Sequence, residues 1–576
     1  AASRITAKIL LPGLLLLIIA VLAVQQLSAP LTIIWDDALY LQFAQLMLQG
    51  QIPYVDFTDI NPPMIIYLSL LPAWLSNYTN LHVIVTFKCL VIGLAALCTF
   101  LSFFILHSHK KAPAQWLCHT LLLIAIASFN NLLGREFGQR EHLFILCYLP
   151  FFFIRFLRMQ DQEEKTAWPL ATVCGIIAAI GLCLKPYFLL ILLSTELYWL
   201  FARKSGRRLL RVETLVLAVT GLTYALHIFF MPESMRSNLF GEASNVWLFQ
   251  KIYGYSLIQA AVLGGPFFPV SIMTVFLVLL TAIFLKLKKG ILKCEYDNYL
   301  LGSLVAFLIG AYLCCVVQQK FWTYYKIPLL AAVLMLAAVE CAILSQFLIA
   351  FISRQKVFQI FTATAESKAP IFLNATCAAT YIILCCYLLA NSGCILGAFQ
   401  LEAPAPDKKP SAALQAEWLR LAQTDAALGK MLQYSQCGDK ILILNTILFP
   451  AYPAFVQLGR TPSSRYPYAF PLLEFAAGQS FAAQIKSKTL ATEYREKETN
   501  ILRNILTEKN KFKPLLIILR KLDKNETQTP DTRYLRQALT EDWFCSELQK
   551  GYVQGETFVD KKDDHSNYFT IWRRQD

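Results

Sequence analysis

Apolar runs of about 20 residues, the length that crosses a hydrocarbon layer of ~30 Å, recur through the first 400 positions. They lie near 8 to 28, 81 to 106, 115 to 133, 142 to 157, 168 to 184, 186 to 202, 213 to 230, 262 to 285, 298 to 317, 324 to 350 and 370 to 398, and predict about eleven membrane-spanning helices. The first follows Lys8 and shows no small-residue cleavage pattern before Trp35, so it reads as a retained signal-anchor helix. Ala38 to Leu48 sets Leu39, Phe43, Leu46 and Met47 on one stripe with Gln42, Gln45 and Gln49 opposite, which predicts a helix lying in the membrane interface. Met64 to Leu75, after Pro62-Pro63, is too short to cross and predicts a re-entrant or surface helix.

The pattern changes after residue 400. The Pro-rich EAPAPDKKP marks a boundary, followed by a polar amphipathic run at Ala412 to Tyr434. Strands are predicted at Lys440 to Asn445, Pro514 to Leu519 and Tyr568 to Trp572, with a charged helical region at 483 to 511. The expected organisation is a polytopic α-helical membrane domain at 1–400, with a first outer loop at 29–80, and a C-terminal extracytoplasmic α/β domain at 401–576.

Composition excludes a single water-soluble core, since 56% of the 576 residues are hydrophobic and 16% charged, with a mean hydropathy of +0.48. A net charge of +14 would suggest nucleic acid in a soluble protein, but topology absorbs it here. If the first span leaves the cytoplasm, HSHKKA at 107, RMQDQEEK at 158, RKSGRRLLR at 203, KLKKG at 286 and SRQK at 353 all face inward. Counting Met64 to Leu75 as a span would put these clusters outside. The outer face then receives the segment 35 to 63, GREFGQRE at 134, the Lys185-Pro186 turn, the loop 231 to 260, QQKFWTYYK at 318 and the C-terminal domain. Most of the 16 cysteines fall inside spans and read as buried thiols; Cys437 and Cys545 alone sit in the outer domain, which leaves one bridge open. The absence of CxxC, HExxH, P-loop and GxGxxG patterns removes zinc peptidases, ATP-driven pumps and nucleotide-binding folds as simple readings.

The chemistry concentrates on the outer face. Asp36, Asp37, Asp56 and Asp59 lie in a segment otherwise rich in Leu, Tyr, Phe and Trp. A solvated loop ordinarily explains a single acid, but four against a membrane surface point to a reaction. Cations come from several spans: Arg135 and Arg140, beside Glu136 and Glu141, then Lys185, Lys320 and Lys326. Lys88 lies about 10 Å inside the second span at 1.5 Å per residue, where it snorkels, pairs with an acid or serves a function. Cations converging on one face suit a buried anion, most simply a phosphate. A carboxylate base above such a site is what lipid-linked glycosyl transfer requires: the base takes a proton from an acceptor hydroxyl, the hydroxyl attacks the anomeric carbon, and the cations stabilise the leaving polyprenyl phosphate.

The segment WDDALYLQFAQLMLQGQIPYVDFTDINPP resembles the first outer loop of bacterial GT-C glycosyltransferases of the aminoarabinose-transferase, protein-mannosyltransferase and rhizobial core-sugar-transferase kind. By that resemblance Asp36 takes the place of the catalytic base, Asp37 that of its acidic neighbour, where Glu is commoner, and Tyr40 that of the motif tyrosine. GREFGQREHL, LKPYFL and QQKFWTYYK also resemble segments of this group, the last with Tyr325 where His is usual. GDKILILNTILFPAYPAFVQLGRTPSSRYPY resembles the start of its outer domain, which makes Arg465 a candidate contact from above. The resemblance implies an inverting transfer from a polyprenyl-phosphate-linked sugar to a lipid, glycan or protein acceptor. It also implies a bacterial inner membrane, with the N-terminus cytoplasmic and the C-terminal domain periplasmic. Some members of the group use a divalent cation and others none; for Mg, Mn or Ca the available oxygen ligands are Asp36, Asp37, Glu136 and Glu141, and His82 and His142 could join them. For a lone His at a span end, packing is the commoner role. The rivals are a polymerase or ligase using a diphosphate-linked oligosaccharide, a noncatalytic membrane scaffold, and a transporter, which would place its polar residues at the midplane instead.

Overall fold

The computed structural model describes residues 2–107, 113–160, 167–203, 210–241, 295–318, 322–354, 396–406, 408–445, 448, 450–466, 486–521, 542–562 and 565–575. In chain order the helices before residue 400 are α1 (Ala2–Leu27), α2 (Trp35–Leu48), α3 (Met64–Thr79), α4 (Val83–His107), α5 (Pro113–Phe129), α6 (Arg140–Gln160), α7 (Trp168–Cys183), α8 (Leu189–Arg203), α9 (Val212–Phe229), α10 (Glu295–Gln318) and α11 (Ile327–Arg354). Then follow α12 (Ala412–Ala422), α13 (Ala426–Tyr434), β1 (Lys440–Leu444), α14 (Ala451–Leu458), β2 (Thr461–Pro462), α15 (Lys488–Phe512), β3 (Leu516–Lys521), α16 (Asp542–Gln549), β4 (Tyr552–Lys562) and β5 (His565–Arg574). The chain divides into two compact units: Ala1–Ala29, Lys88–Leu226 and Tyr255–Leu396 form one, and Pro30–Phe87, His227–Gly254 and Gly397–Asp576 form the other. The first outer loop therefore belongs to the same unit as the C-terminal domain.

Among the described residues, five helices are long and apolar enough to cross a membrane, at Val83–His107, Arg140–Met159, Val212–Phe229, Tyr299–Gln318 and Thr323–Ser345. Shorter apolar helices occupy Leu11–Leu27, Trp168–Cys183 and Pro186–Ala202. The expected spans at 262 to 285 and, up to residue 395, 370 to 398 lie outside the described residues, so the described helices do not test the figure of about eleven.

In the first unit α6 is the central column, with Phe144, Phe151, Phe152, Phe153 and Phe156 fully buried along it. α6 packs on α7, α8 on α10, and α5 on α11. Lipid tails supply no hydrophobic drive between helices, so close backbone approach through small residues takes its place. Gly310 of α10 shows this: a Cβ there would stand 2.6 Å from the Ile191 Cα of α8. α9 has the opposite character. Its Leu215, Val219, Leu222, Leu226 and Phe229 form an exposed stripe at helical spacing, as on a lipid-facing helix.

Buried charge in this unit is neutralised locally. The Arg155 guanidinium donates to both Glu196 oxygens at 2.8 and 2.6 Å, and lies 3.4 Å from Glu213, which Arg158 approaches at 3.3 Å. This network fastens α6 to α8 and α9, and nothing in the periodicity announces it. Lys88 has a similar explanation. Its ammonium donates to the carbonyls of Gln26 at 2.9 Å and Ala29 at 2.7 Å, closing the C-terminal end of α1, where a cation also suits the helix dipole.

In the second unit a five-stranded mixed sheet runs in the order β2-β1-β3-β5-β4. β1 pairs parallel with β2 and β3, while β5 lies antiparallel to both β3 and β4. The interior strands β1 and β3 carry the apolar runs Ile441 to Leu444 and Leu516 to Leu519, as strands with buried faces do. Tyr494, Ile501, Leu502, Ile505 and Leu506 of α15 recur at helical spacing against Leu442, Leu444 and Ile517, with Phe544 and Leu548 of α16 in the same core. β2 and β4 are additions to the three predicted strands. The run at Ala412 to Tyr434 is two helices, since the Asp425 carboxylate accepts from Leu428 N at 2.9 Å and starts a new one. Cys437 is a free thiol that donates to the Gly459 carbonyl, and the side chain of Cys545 lies outside the described residues.

α2 departs from the interfacial expectation. It packs against α3 and α14, and Asp36, Asp37 and Gln42 are buried with the apolar stripe. The junction is made by Gln457, at the end of α14. Its carbonyl accepts from His82 Nε2 at 3.2 Å and Trp418 Nε1 at 2.8 Å, and its amide donates to the Leu31 carbonyl at 2.9 Å. The Ile84 amide donates to His82 Nδ1 at 3.2 Å, which fixes the neutral tautomer with its proton on Nε2.

Burial lowers His82, which precedes α4, from 6.5 to about 4. Its contribution to stability is complete above the unfolded value near 6.5 and is lost as pH falls through about 4. This amounts to about 3 kcal/mol at 1.36 kcal/mol per unit. Thermal unfolding of the detergent-solubilised protein is expected to show a midpoint that drops between pH 7 and 4, with a shallower drop in His82→Phe.

Candidate functional site

Two groups of candidate residues take shape, one in each unit. In the second, Ile34 is extended and α2 begins with no side-chain cap, so the first-turn carboxylates of Asp36 and Asp37 meet the positive end of the helix dipole. They are 6% and 2% exposed, which rules out the solvated-loop explanation. Tyr40 follows Asp36 by one turn and is buried beside it in sequence register.

The chain after α2 is held by its own polar groups. The exposed Asp56 accepts from the Ile52 amide at 2.7 Å and closes a turn. Asp59 is buried and accepts from the Ile60 amide at 2.7 Å and from Asn61 Nδ2 at 3.0 Å. Tyr54 adopts φ 64, its hydroxyl donates to the Asn61 carbonyl at 2.6 Å, and Asn238 Nδ2 donates to the Tyr54 carbonyl at 2.6 Å. Phe57 stacks on Phe43 of α2 with ring centroids 4.4 Å apart. Arg465 does reach this loop, but through its backbone: its carbonyl accepts from the Thr58 amide at 2.9 Å and the Thr58 hydroxyl at 3.2 Å. Its guanidinium lies over the Tyr466 ring at 5.5 Å.

In the first unit, Lys185 is the centre. Its ammonium meets Glu141 Oε1 at 2.5 Å and stands 4.7 Å from the Tyr325 ring centroid and 5.1 Å from that of Tyr324. Tyr325 thus faces a cation, with a ring quadrupole that favours one. Thr323, on the same 3-10 turn, donates its hydroxyl to Glu136. Arg140 is buried at the start of α6, Arg135 is exposed on the turn Gly134–Glu136, and Lys326 is half-buried. Lys320 lies outside the described residues. Lys88 serves the end of α1 as described, a structural employment that removes it from the phosphate contacts we assign.

Gln139 was not evident from the sequence. It is wholly buried, and among the described residues its side-chain amide makes no hydrogen bond. A neutral glutamine inside a strongly charged motif gives no compositional signal. His142 receives the Gly138 amide on Nδ1 at 3.1 Å and faces Asn130 Oδ1 with Nε2 at 2.8 Å, so both ring nitrogens are satisfied within the core.

These engagements bear on a metal. Glu141 is taken by Lys185 and Glu136 by Thr323, and among the described residues no group of three or more His, Cys, Asp or Glu could hold an ion. Asp36 and Asp37 are two oxygen donors, the number of carboxylates that a Mg ion commonly takes from a protein when substrate phosphate and water complete its shell.

No family model and no curated protein matches the chain. Among solved structures, it is similar to the crystal structure of ArnT from Cupriavidus metallidurans bound to undecaprenyl phosphate, at 14% identity and a TM-score of 0.48, over 97% of this chain and 98% of that one. It is also similar to the Archaeoglobus fulgidus oligosaccharyltransferase in complex with Zn and sulfate, at 14% identity and a TM-score of 0.37, over 96% of this chain and 72% of that one.

The Lys185–Glu141 pair is buried on both sides, so removing one partner strands the other charge. Lys185→Met is expected to cost about 3–5 kcal/mol, and Lys185→Met combined with Glu141→Gln to recover most of it. Thermal unfolding in detergent measures both.

Proposed function

We propose that the chain is an inverting glycosyltransferase that moves a sugar from a polyprenyl-phosphate carrier to an acceptor hydroxyl at the outer face of a bacterial inner membrane. The observation that carries this reading is the burial of the Asp36-Asp37 pair in the first turn of α2. Two vicinal carboxylates withdrawn from water are costly, and a reacting proton gives them a reason to be there. The resemblance of the surrounding motif to the first outer loop of GT-C transferases ranks Asp36 as the base.

The chemistry is a single displacement. Asp36 accepts the acceptor's hydroxyl proton as the oxygen attacks the anomeric carbon; the bond from that carbon to the phosphate oxygen breaks, and the phosphate departs with the electron pair. One displacement inverts the anomeric centre. Asp37 keeps a second negative charge beside the base, which favours proton uptake by Asp36. In the first unit, Arg140 and Lys185 are the groups for the phosphate, with Gln139 as a neutral donor and acceptor. Glu141 tempers Lys185, so the lysine contributes as half of an ion pair. Asp59, Asp56 and Tyr40 shape the acceptor side, and Arg135, Lys326 and Lys320 supply positive charge around the carrier.

The loop charges support an N-terminus in the cytoplasm and the domain at 401–576 outside, and cysteine accessibility labelling of single-cysteine variants tests that arrangement. The decisive measurement is transfer by purified protein given a polyprenyl-phosphate sugar. Asp36→Asn is expected to lower it by about 100-fold or more with an unchanged unfolding midpoint, and full transfer by that variant would sink the assignment. Mass spectrometry of the copurifying lipid is expected to find a monophosphate; a diphosphate-linked oligosaccharide would indicate a polymerase or ligase instead.

A further inference from the structure

The second unit contains a hydrogen-bonded path from its soluble core to the acidic loop. It begins at Glu508, on α15, whose Oε2 accepts both the Arg465 amide at 2.9 Å and the Ser464 hydroxyl at 2.9 Å. The same Arg465 presents its carbonyl to Thr58, which donates through both its amide at 2.9 Å and its hydroxyl at 3.2 Å. Thr58 directly precedes Asp59, which is itself fixed by the Ile60 amide and Asn61. Phe57, on the other side of Thr58, stacks against Phe43 of α2, the helix that carries Asp36 and Asp37.

We infer that Glu508 is a positioning residue, which holds the loop 52–61 in its working conformation through Arg465 and Thr58. This rests on the transfer reading above only for its effect on rate. Two physical points support it. A single carboxylate oxygen takes two donors from consecutive residues, so the conformation at Ser464-Arg465 is set from outside the segment by one rigid 25-residue helix. The carboxylate is also partly withdrawn from water: burial pushes it above its usual range, opposed by the two donors and by the charges of Arg465 and Lys511. Such a site is costly to maintain for a surface turn alone, and its hydrogen-bonded continuation ends at a residue adjacent to a buried acid.

Because both bonds end on one oxygen, glutamine can keep them and methionine cannot. Glu508→Gln is expected to match the wild type, whereas Glu508→Met lowers kcat by about 10- to 100-fold with KM unchanged. Hydrogen exchange supplies a readout independent of activity: the peptide covering 52–61 is expected to exchange at least ~10-fold faster in Glu508→Met, with Glu508→Gln protected as in the wild type. Thr58→Val, which removes the hydroxyl donor at the other end of the path, keeps the test decisive if Glu508→Met fails to fold. Its effect combined with Glu508→Met is expected to be less than additive. Unchanged exchange at 52–61 in both Glu508→Met and Thr58→Val would overturn the inference, and so would a Glu508→Gln variant as impaired as Glu508→Met. If the exchange effects appear but the wild type transfers no sugar, the positioning role stands and the transferase reading falls.

Discussion

The second unit depends on the main-chain carbonyl of Gln457. It accepts two donors from parts of the chain far apart in sequence, the His82 ring and the Trp418 indole, while the side chain of the same residue reaches the Leu31 carbonyl just before α2. A segment that enters between two apolar spans is thereby fastened to a domain whose strands begin after residue 400. Backbone groups need partners wherever water is excluded, and here the partners are side chains that leave no freedom in how α2 is seated. The burial of Asp36 and Asp37 follows from that seating, since a helix packed against α3 and α14 cannot turn its first turn to solvent.

The first unit obeys a related constraint on charge. Lys185 is balanced by Glu141 and two tyrosine rings, Arg155 by Glu196 and Glu213, and Lys88 by the carbonyl ends of α1. Each charge has a counterpart because an isolated one in hydrocarbon is costly. The counterparts differ in kind, and this separates their meanings. Arg155 sits in a bidentate geometry that uses the guanidinium fork fully, as a fastening between helices does. Lys185 meets a carboxylate oxygen of Glu141 and two ring faces with a compact point charge rather than a planar fork.

The legible parts of the sequence were those fixed by local chemistry. Apolar length marked the helices, and the apolar runs at Lys440 and Leu516 marked two of the sheet's interior strands. Asp36 and Asp37 were readable as unusual because acids are rare among so many aromatic and aliphatic neighbours. What could not be read was set by partners distant in sequence. The stripe of glutamines on α2 looked like a wet face, but α14, some 400 positions later, helps to bury that helix. Lys88 looked like a ligand for an anion because its carbonyl partners carry no side-chain signal. β4 was missed for another reason: Tyr552–Lys562 alternates and carries many polar residues, and its place at the sheet edge, paired only with β5, tolerates both.

The same distinction explains why the candidate residues divide as they do between rigid and adjustable settings. Asp36 and Asp37 gain their position from helix geometry, so their separation and direction are fixed by α2 itself. The loop that follows has no such frame; it contains a left-handed tyrosine, a turn closed by Asp56 and an aspartate folded onto its own neighbours. Local hydrogen bonds of this kind define a shape but do not place it, because Ile52, Ile60 and Asn61 move with the loop. Placement requires bonds to something that stays still, and the Thr58 donors to Arg465, Asn238 on Tyr54 and the Phe57 stack on α2 are those bonds. A rigid acid pair and an externally held loop are together what an acceptor hydroxyl needs if it is to meet a base at a defined angle, since misplacement by about 1 Å costs as much as two orders of magnitude in rate.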